Sequence, residues 1–169
     1  MELFDQDPYS GSELSSEGKQ SDECKLAYAS GYFDGEGSIG ILSQGAGKGS
    51  QLRVEIRSCD LDSLRLFKDL FGGVLSSQKY GRLPYPVFRW AVNNQDAIRV
   101  LRMMAPFLRA KAKEANLVLD SGWDTLSLGS GRLSEAQKEN RRALREALQE
   151  TKKQNRRGAG YPRLNQPIS

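Results

Sequence analysis

From Glu23 to Leu108 the chain runs twice through one order of elements, helix, strand, strand, and this duplication restricts the fold more than any single motif. Ser21 and Asp22 can cap a helix from about Glu23 to Asp34, with Gly35 supplying the conformational freedom needed just past it. Strands over 38–44 and 51–58 follow, joined by "GAGKGS", a hairpin tip that carries Lys48. Asp60 caps a second helix with Leu61, Leu64, Phe67, Leu70 and Phe71 at helical spacing, and a Gly-Gly pair ends it. Strands over about 74–79 and 86–92 come next. Asn94 is then expected to cap a third helix whose inner face is Ile98, Leu101, Ala105 and Leu108. Four strands in this order form one antiparallel sheet covered by helices on one face, an α+β fold in αββαββα order. Beyond Pro106, "FLRAKAKEANLVL" continues as another helix or an extension, and Ser134 with Gln137 forms a capping-box pattern opening an Arg-rich helix to about Lys153.

The uncovered face of the sheet is the informative one. In "QLRVEIRS" the alternation is strict, so Leu52, Val54 and Ile56 point to the helices while Gln51, Arg53, Glu55 and Arg57 point away. The fourth strand repeats the pattern with Phe88, Trp90 and Val92 inward and Val87, Arg89 and Ala91 outward. A solvated sheet face would look like this. So would a nucleic-acid reader, because a two-stranded ribbon fits the DNA major groove and Arg and Gln make paired hydrogen bonds to guanine and adenine edges.

Charge favours the second reading. Residues 1–23 hold seven acids against Lys19, a net of −6, which leaves +10 on the other 146 residues. A basic body suits a polyanion, since each phosphate neutralised releases counterions, although a basic pI also serves plain solubility. The polar, Ser/Gly-rich start reads as a disordered acidic tail. Histidine is absent, which excludes Ser-His and Cys-His hydrolases and His-bound zinc, and leaves carboxylates, lysines, water and a bound metal as the available chemistry. Cys24 and Cys59 match no metal spacing and are expected to be buried, reduced thiols. No apolar run approaches the roughly 20 residues of a membrane span, and no signal-peptide order is present, so an intracellular protein without membrane contact is expected.

Two phosphate- or metal-binding patterns fail on spacing. "DGEGSIGILSQG" has Ile39 where a calcium loop needs glycine and Gly45 where it needs an acid. "GAGKGS" has Gly49 after the lysine and Leu42 in place of the first glycine of a P-loop. A third pattern survives. Ala27, Gly31 and Gly35 recur every four residues, a small-residue stripe that lets another helix approach closely. The acid at Glu36 could be incidental to an ordinary helix end. If instead the partner is the same helix of a second copy, a twofold axis brings two Glu36 carboxylates together, which is tolerable when divalent cations lie between them.

"ASGYFDGEGS", residues 29–38, resembles the LAGLIDADG motif of homing endonucleases, with Ala29 and Ser30 in place of the opening Leu and Ala. The likeness extends from about Lys25 to Asp120 through "LRVEIRSCDLDSLRLFKDLFGGVL", "VFRWAV" and "APFLRAKAKEANLVL". It implies the family's fold, a four-stranded antiparallel saddle sheet with helices on one face, and the activity of a sequence-specific, double-strand DNA endonuclease that uses Mg2+, with Mn2+ as a substitute. One motif implies a homodimer acting on a long pseudo-palindromic site, with Ala27, Gly31 and Gly35 at the interface.

Carried over by position, Glu36 is the metal-binding acid and the Gly35 carbonyl a neighbouring ligand. Glu55 stands where a polar residue orients water, and Lys111 where a base flanks the scissile phosphate. Glu replaces the more familiar Asp at 36, and Cys59 stands where the family often has Gln, Lys or Arg, with Arg57 able to compensate. The DNA-contacting set is Ser38, Gln44, Lys48, Gln51, Arg53, Arg57, Lys79, Arg82, Arg89 and Lys113. The expected organisation is an acidic tail over 1–22, the endonuclease core over 23–124, a basic helical extension of the same domain over 125–157 and a flexible tail over 158–169. The setting would be a prokaryotic cytoplasm or nucleoid, or an organelle. The rival reading keeps the fold without cleavage, as a DNA- or RNA-binding regulator or a maturase acting on its own intron RNA.

Overall fold

The computed structural model describes residues 21–43, 45, 49–78, 85–123 and 133–158. The expected acidic tail up to residue 20, the flexible tail from 159, and Gln44, Lys48, Lys79 and Arg82 lie outside the described residues. The elements are α1 (Asp22–Glu36), β1 (Gly37–Ser43), β2 (Ser50–Ser58), α2 (Leu61–Phe71), β3 (Val74–Gln78), β4 (Val87–Asn93), α3 (Asn94–Met104), α4 (Ala112–Leu119) and α5 (Glu135–Gly158). The four strands form one open antiparallel sheet in the order β1-β2-β4-β3, so the architecture is the α+β fold expected. No described helix is long and apolar enough to cross a membrane.

The alternation read in the sequence sets the two faces. Leu52, Val54, Ile56 and Trp90 are fully buried and Val92 nearly so, against Phe33 of α1, Leu64, Phe67 and Phe71 of α2, and Ile98 and Leu101 of α3. Phe67 lies 5.0 Å from Trp90 between ring centroids, the centre of an aromatic cluster, and each such side chain contributes about 1.5–3 kcal/mol by leaving water. The Trp90 indole N–H donates to the Gly72 carbonyl at 2.8 Å. The turn that carries this carbonyl needs both glycines. Gly72 and Gly73 have φ of +73° and +82°, and a Cβ on Gly73 would sit 2.5 Å from Val92 Cγ1 and 2.7 Å from the Ala91 carbonyl.

Local chemistry explains the boundaries and three departures. Asp60 caps α2 through the Asp62 and Ser63 amides, both at 3.1 Å. The capping box of α5 closes in both directions, the Ser134 amide on Gln137 Oε1 at 2.9 Å and the Gln137 amide on Ser134 Oγ at 3.2 Å. Helix α1 runs past Asp34, however. Gly35 and Glu36 are its last residues, and the chain leaves through Gly37 at φ −76°, so no left-handed residue is used and Gly35 is not the cap. Asn94 is the first residue of α3 rather than its cap. At φ +47°, a conformation asparagine tolerates, it turns its Oδ1 to accept the Leu52 amide at 3.1 Å, tying α3 to β2. Both cysteines are free but exposed rather than buried, because Cys24 falls in the solvent-facing first turn of α1 and Cys59 in the connection to α2.

Helix α5 is held by a narrow stripe. Leu144 and Leu148 are buried, and the buried Arg141 places its guanidinium 4.4 Å from the Trp123 ring centroid while donating to the Ser50 carbonyl at 3.1 Å. The helix packs on α4 and along β1, an edge strand of the sheet.

Candidate active site and nucleic-acid interface

The joint between α1 and β1 is built around Asp34. Its carboxylate accepts three backbone amides in a row, Arg109 at 2.6 Å and Ala110 at 3.1 Å on Oδ2, and Lys111 at 2.9 Å on Oδ1. The Lys111 ammonium in turn donates to the Asp34 carbonyl, one of the last-turn carbonyls that no helix amide can reach. Asp34 is therefore a latch, and what it latches is the segment that presents Lys111. Burial pushes the Lys111 ammonium below its ordinary pKa, opposed by the negative charges of Glu114, Asp34 and Glu36 and reinforced by the positive charge of Lys152. Its Nζ also lies 6.0 Å from the Phe33 ring centroid.

Glu36 contrasts with Asp34. It is exposed, makes no hydrogen bond or salt bridge among the described residues, and ends a helix with no basic residue in its last turn. The negative end of the helix dipole and an uncommitted carboxylate thus coincide, an arrangement that favours a cation. The residues fit a hard divalent ion in part. Glu36 and the Gly35 carbonyl offer oxygen ligands of the right chemistry, but no cluster of three acids or other ligating side chains exists among the described residues, so one chain supplies an incomplete set. The stripe beside it is open: Gly31 and Gly35 are exposed, Ala27 is partly buried, and a Cβ added at either glycine would meet nothing within 4 Å. Ser30, at a motif position, is buried and spends its hydroxyl on the Leu26 carbonyl at 2.7 Å.

The uncovered sheet face carries the expected side chains in fixed rungs. Gly40, Arg53 and Asn93 share one rung, Ser38, Glu55, Ala91 and Val74 the next, and Arg57, Arg89 and Ser76 the one beyond. Arg53 is held between Asn93 Oδ1 at 3.0 Å and Gln51 Oε1 at 2.9 Å, and Glu55 pairs with Arg57 at 3.0 Å. Because Gly40 has no side chain, a recess of about 50 Å3 remains between Ser38, Leu42, Arg53 and Glu55. Arg57 and Arg89 stand directly opposite each other, and the Arg89 Nε is buried without a hydrogen-bond partner. Like charges so placed cost stability, a cost that the Glu55 carboxylate offsets at Arg57. Lys113 is exposed on α4, two residues after Lys111, which precedes the helix as its N-cap.

Sequence reasoning missed Asp34, Glu114 and Lys152. Asp34 was visible as one of two acids at the joint, but only the tertiary fold brings residues 109–111 to it. Glu114 is 5% exposed, a buried acid one helical turn after Lys111, and Lys152 of α5 lies 4.0 Å from its Oε2. Nothing in the pattern of a mostly charged helix marks Lys152 as different from Lys153, which is exposed and, among the described residues, pairs with Glu150.

An open four-stranded antiparallel sheet roofed by helices is a fold for which solved structures exist. Over 76% of its length the chain is similar to the homing endonuclease I-CvuI in complex with its target in the presence of Ca, at 19% identity and a TM-score of 0.51, covering 96% of that chain. It is similar to the archaeal intron-encoded homing endonuclease I-Vdi141I complexed with DNA over 78% of its length and 86% of that chain, at 16% identity and a TM-score of 0.63. The LAGLIDADG meganuclease I-AabMI bound to uncleaved DNA matches at 22% identity and a TM-score of 0.52 over 70% of this chain but only 44% of that one. No protein-family model and no curated protein matches the sequence. The chain has the fold of the LAGLIDADG homing endonucleases.

Proposed function

We propose that this chain is a sequence-specific endonuclease that cuts double-stranded DNA as a homodimer, using Mg2+ or, in its place, Mn2+. The observation that carries the reading is the exposed, uncommitted Glu36 at the end of an open small-residue helix face, beside the partly buried Lys111. A second copy packed along Ala27, Gly31 and Gly35 would bring a second Glu36 to the same axis and complete a ligand set that one chain leaves short. The I-CvuI, I-Vdi141I and I-AabMI structures are DNA complexes, and I-CvuI was solved with Ca and with Mg, which supports DNA as partner and a divalent ion as cofactor. The match of 70% of this chain to only 44% of I-AabMI supports the same arrangement, one unit here against a longer chain there.

In this reading Gln51, Arg53, Arg57 and Arg89 enter the major groove, with Ser38 and Lys113 at the margins of the face. Gln44, Lys48, Lys79 and Arg82 are proposed as further contacts on sequence position alone. Glu36 and the Gly35 carbonyl would hold the ion, which when bound polarises the phosphate and makes water a better nucleophile. Lys111 stabilises negative charge developing on the phosphate, Glu55 orients water, and Asp34 keeps Lys111 in place. Residues 23–124 would be the core and 125–157 its extension, acting inside a prokaryotic cell or an organelle on the DNA of an intron's target.

Selection from a random-site DNA library in Mg2+ tests this. The expected result is one enriched pseudo-palindromic site with both strands cut. Enrichment without any cutting would replace it with the regulator or maturase reading, with intron RNA as the partner to assay, and no enrichment would remove specific DNA recognition.

A further inference from the structure

Helix α5 reaches the candidate site with one face. Asn155 donates to the Ala110 carbonyl at 3.5 Å and to Glu114 Oε1 at 3.4 Å, so it touches the same segment that Asp34 latches. One turn earlier, Lys152 crosses the outer edge of β1, where its ammonium donates to the Ile39 carbonyl at 2.6 Å and lies 3.5 Å from Ser38 Oγ. Ile39 points into the core but Ser38 is exposed and shares a rung with Glu55, so this ammonium stands at the rim of the uncovered face. Glu114, buried and with Oε2 lacking any hydrogen bond, lies 4.0 Å behind it.

A buried carboxylate with an unfilled oxygen is costly, and it is retained here between two lysines, Lys111 and Lys152. Capping the carbonyl of an edge strand would explain one contact of Lys152. It does not explain why the carboxylate is left half-satisfied, nor why the ammonium sits at the rim beside Ser38 instead of over the middle of the strand edge.

We propose that Lys152, carried in by α5 and held from behind by Glu114, is a second active-site cation that contacts a backbone phosphate of bound DNA alongside Lys111, with Glu114 as its positioning residue. This rests on the endonuclease reading for its catalytic part and on DNA binding alone for the rest. The ammonium forms no covalent bond and transfers no proton. It adds a positive charge where negative charge gathers. Helix α5 is then part of the working site.

The test uses the full chain and a duplex carrying the library-selected site, or a random-sequence duplex if none is selected. Lys152→Met keeps the aliphatic cover over β1 and removes the charge. The logarithmic dependence of affinity on salt, measured in Ca2+, should become shallower by about 0.9 per protomer. Single-turnover cutting in Mg2+ at saturating protein should fall about 10- to 100-fold. Lys152→Arg should restore the salt slope, and Glu114→Gln should slow cutting with a smaller change in slope. A Met variant with wild-type melting temperature, salt slope and cutting rate would overturn the proposal. A variant that only melts lower, with slope and rate intact in its folded fraction, would overturn it equally, since that is what an edge cap does. If Lys152→Met fails to fold, Lys152→Gln is read by the same criteria. A wild type that binds but does not cut would end the endonuclease reading, while the salt slope would still decide whether Lys152 meets a phosphate.

Discussion

Replacing Asp34 with Ala removes the latch together with one of the negative charges that face Lys111. Three amide hydrogen bonds at 2.6, 3.1 and 2.9 Å end on one carboxylate. Each is worth about 1 kcal/mol net, more when the acceptor is charged, and Arg109 and Ala110 are exposed enough for water to take over their amides. The expected loss is therefore about 2–3 kcal/mol. At about 2–4 °C per kcal/mol for a chain of this size, the melting temperature should drop by about 4–12 °C. Asp34→Asn retains one acceptor oxygen but turns an N–H2 toward the other amides, so it should recover no more than about half. Thermal unfolding gives the magnitude, and hydrogen exchange localises it: the amides of 109–111 should lose protection well before the sheet does. Cutting should slow because Lys111 is no longer held. Wild-type melting together with unchanged protection at 109–111 would refute the latch.

Gly31→Leu should leave the monomer folded, since a Cβ there meets nothing and leucine favours helix over glycine, yet abolish the dimer in equilibrium sedimentation; a dimer of unchanged stability would remove the stripe from the interface. Arg53→Ala should relax preference at one base pair of each half-site by roughly 1–3 kcal/mol in site selection, with the rest of the logo intact. The pH dependence of Lys111 has a definite sign. With its folded pKa lowered by burial, the unfolded chain binds more protons between that value and 10.5, so stability rises with pH there. The stability of the wild type relative to Lys111→Met should accordingly climb across that interval in denaturant titrations, and a flat or falling difference would contradict the burial argument.

The fold was legible because period and caps agree. "QLRVEIRS" names its buried face residue by residue, and Ser134 with Gln137 announces a capping box that closes as written. What misled was local freedom without local need. Gly35 could have ended α1 but sits inside it, and Asn94 could have capped α3 but spends its side chain on β2. The site divides the same way. Glu36 stands in the motif and Lys111 in a separate segment, "APFLRAKAKEANLVL", whose resemblances single them out, and the outward arginines follow from alternation. Asp34, Glu114 and Lys152 depend on contacts across 77, 41 and 113 residues respectively, in which neither partner's neighbourhood carries a signal. Tertiary hydrogen bonds of this kind obey no period, so they become visible only when the chain is folded.

Glu36 is proposed as a catalytic metal ligand at a dimer axis. Its most direct test is Glu36→Gln, which keeps size and hydrogen bonding but removes the charge that holds a divalent ion. Binding and nicking of the selected site are to be measured for both proteins in Mg2+ and in Ca2+. The variant should bind as tightly as wild type or slightly tighter, because affinity comes from phosphate and groove contacts and a central acid repels the backbone, while its cleavage in Mg2+ should be abolished. Undiminished cleavage by the Glu36→Gln protein would contradict the metal-ligand role.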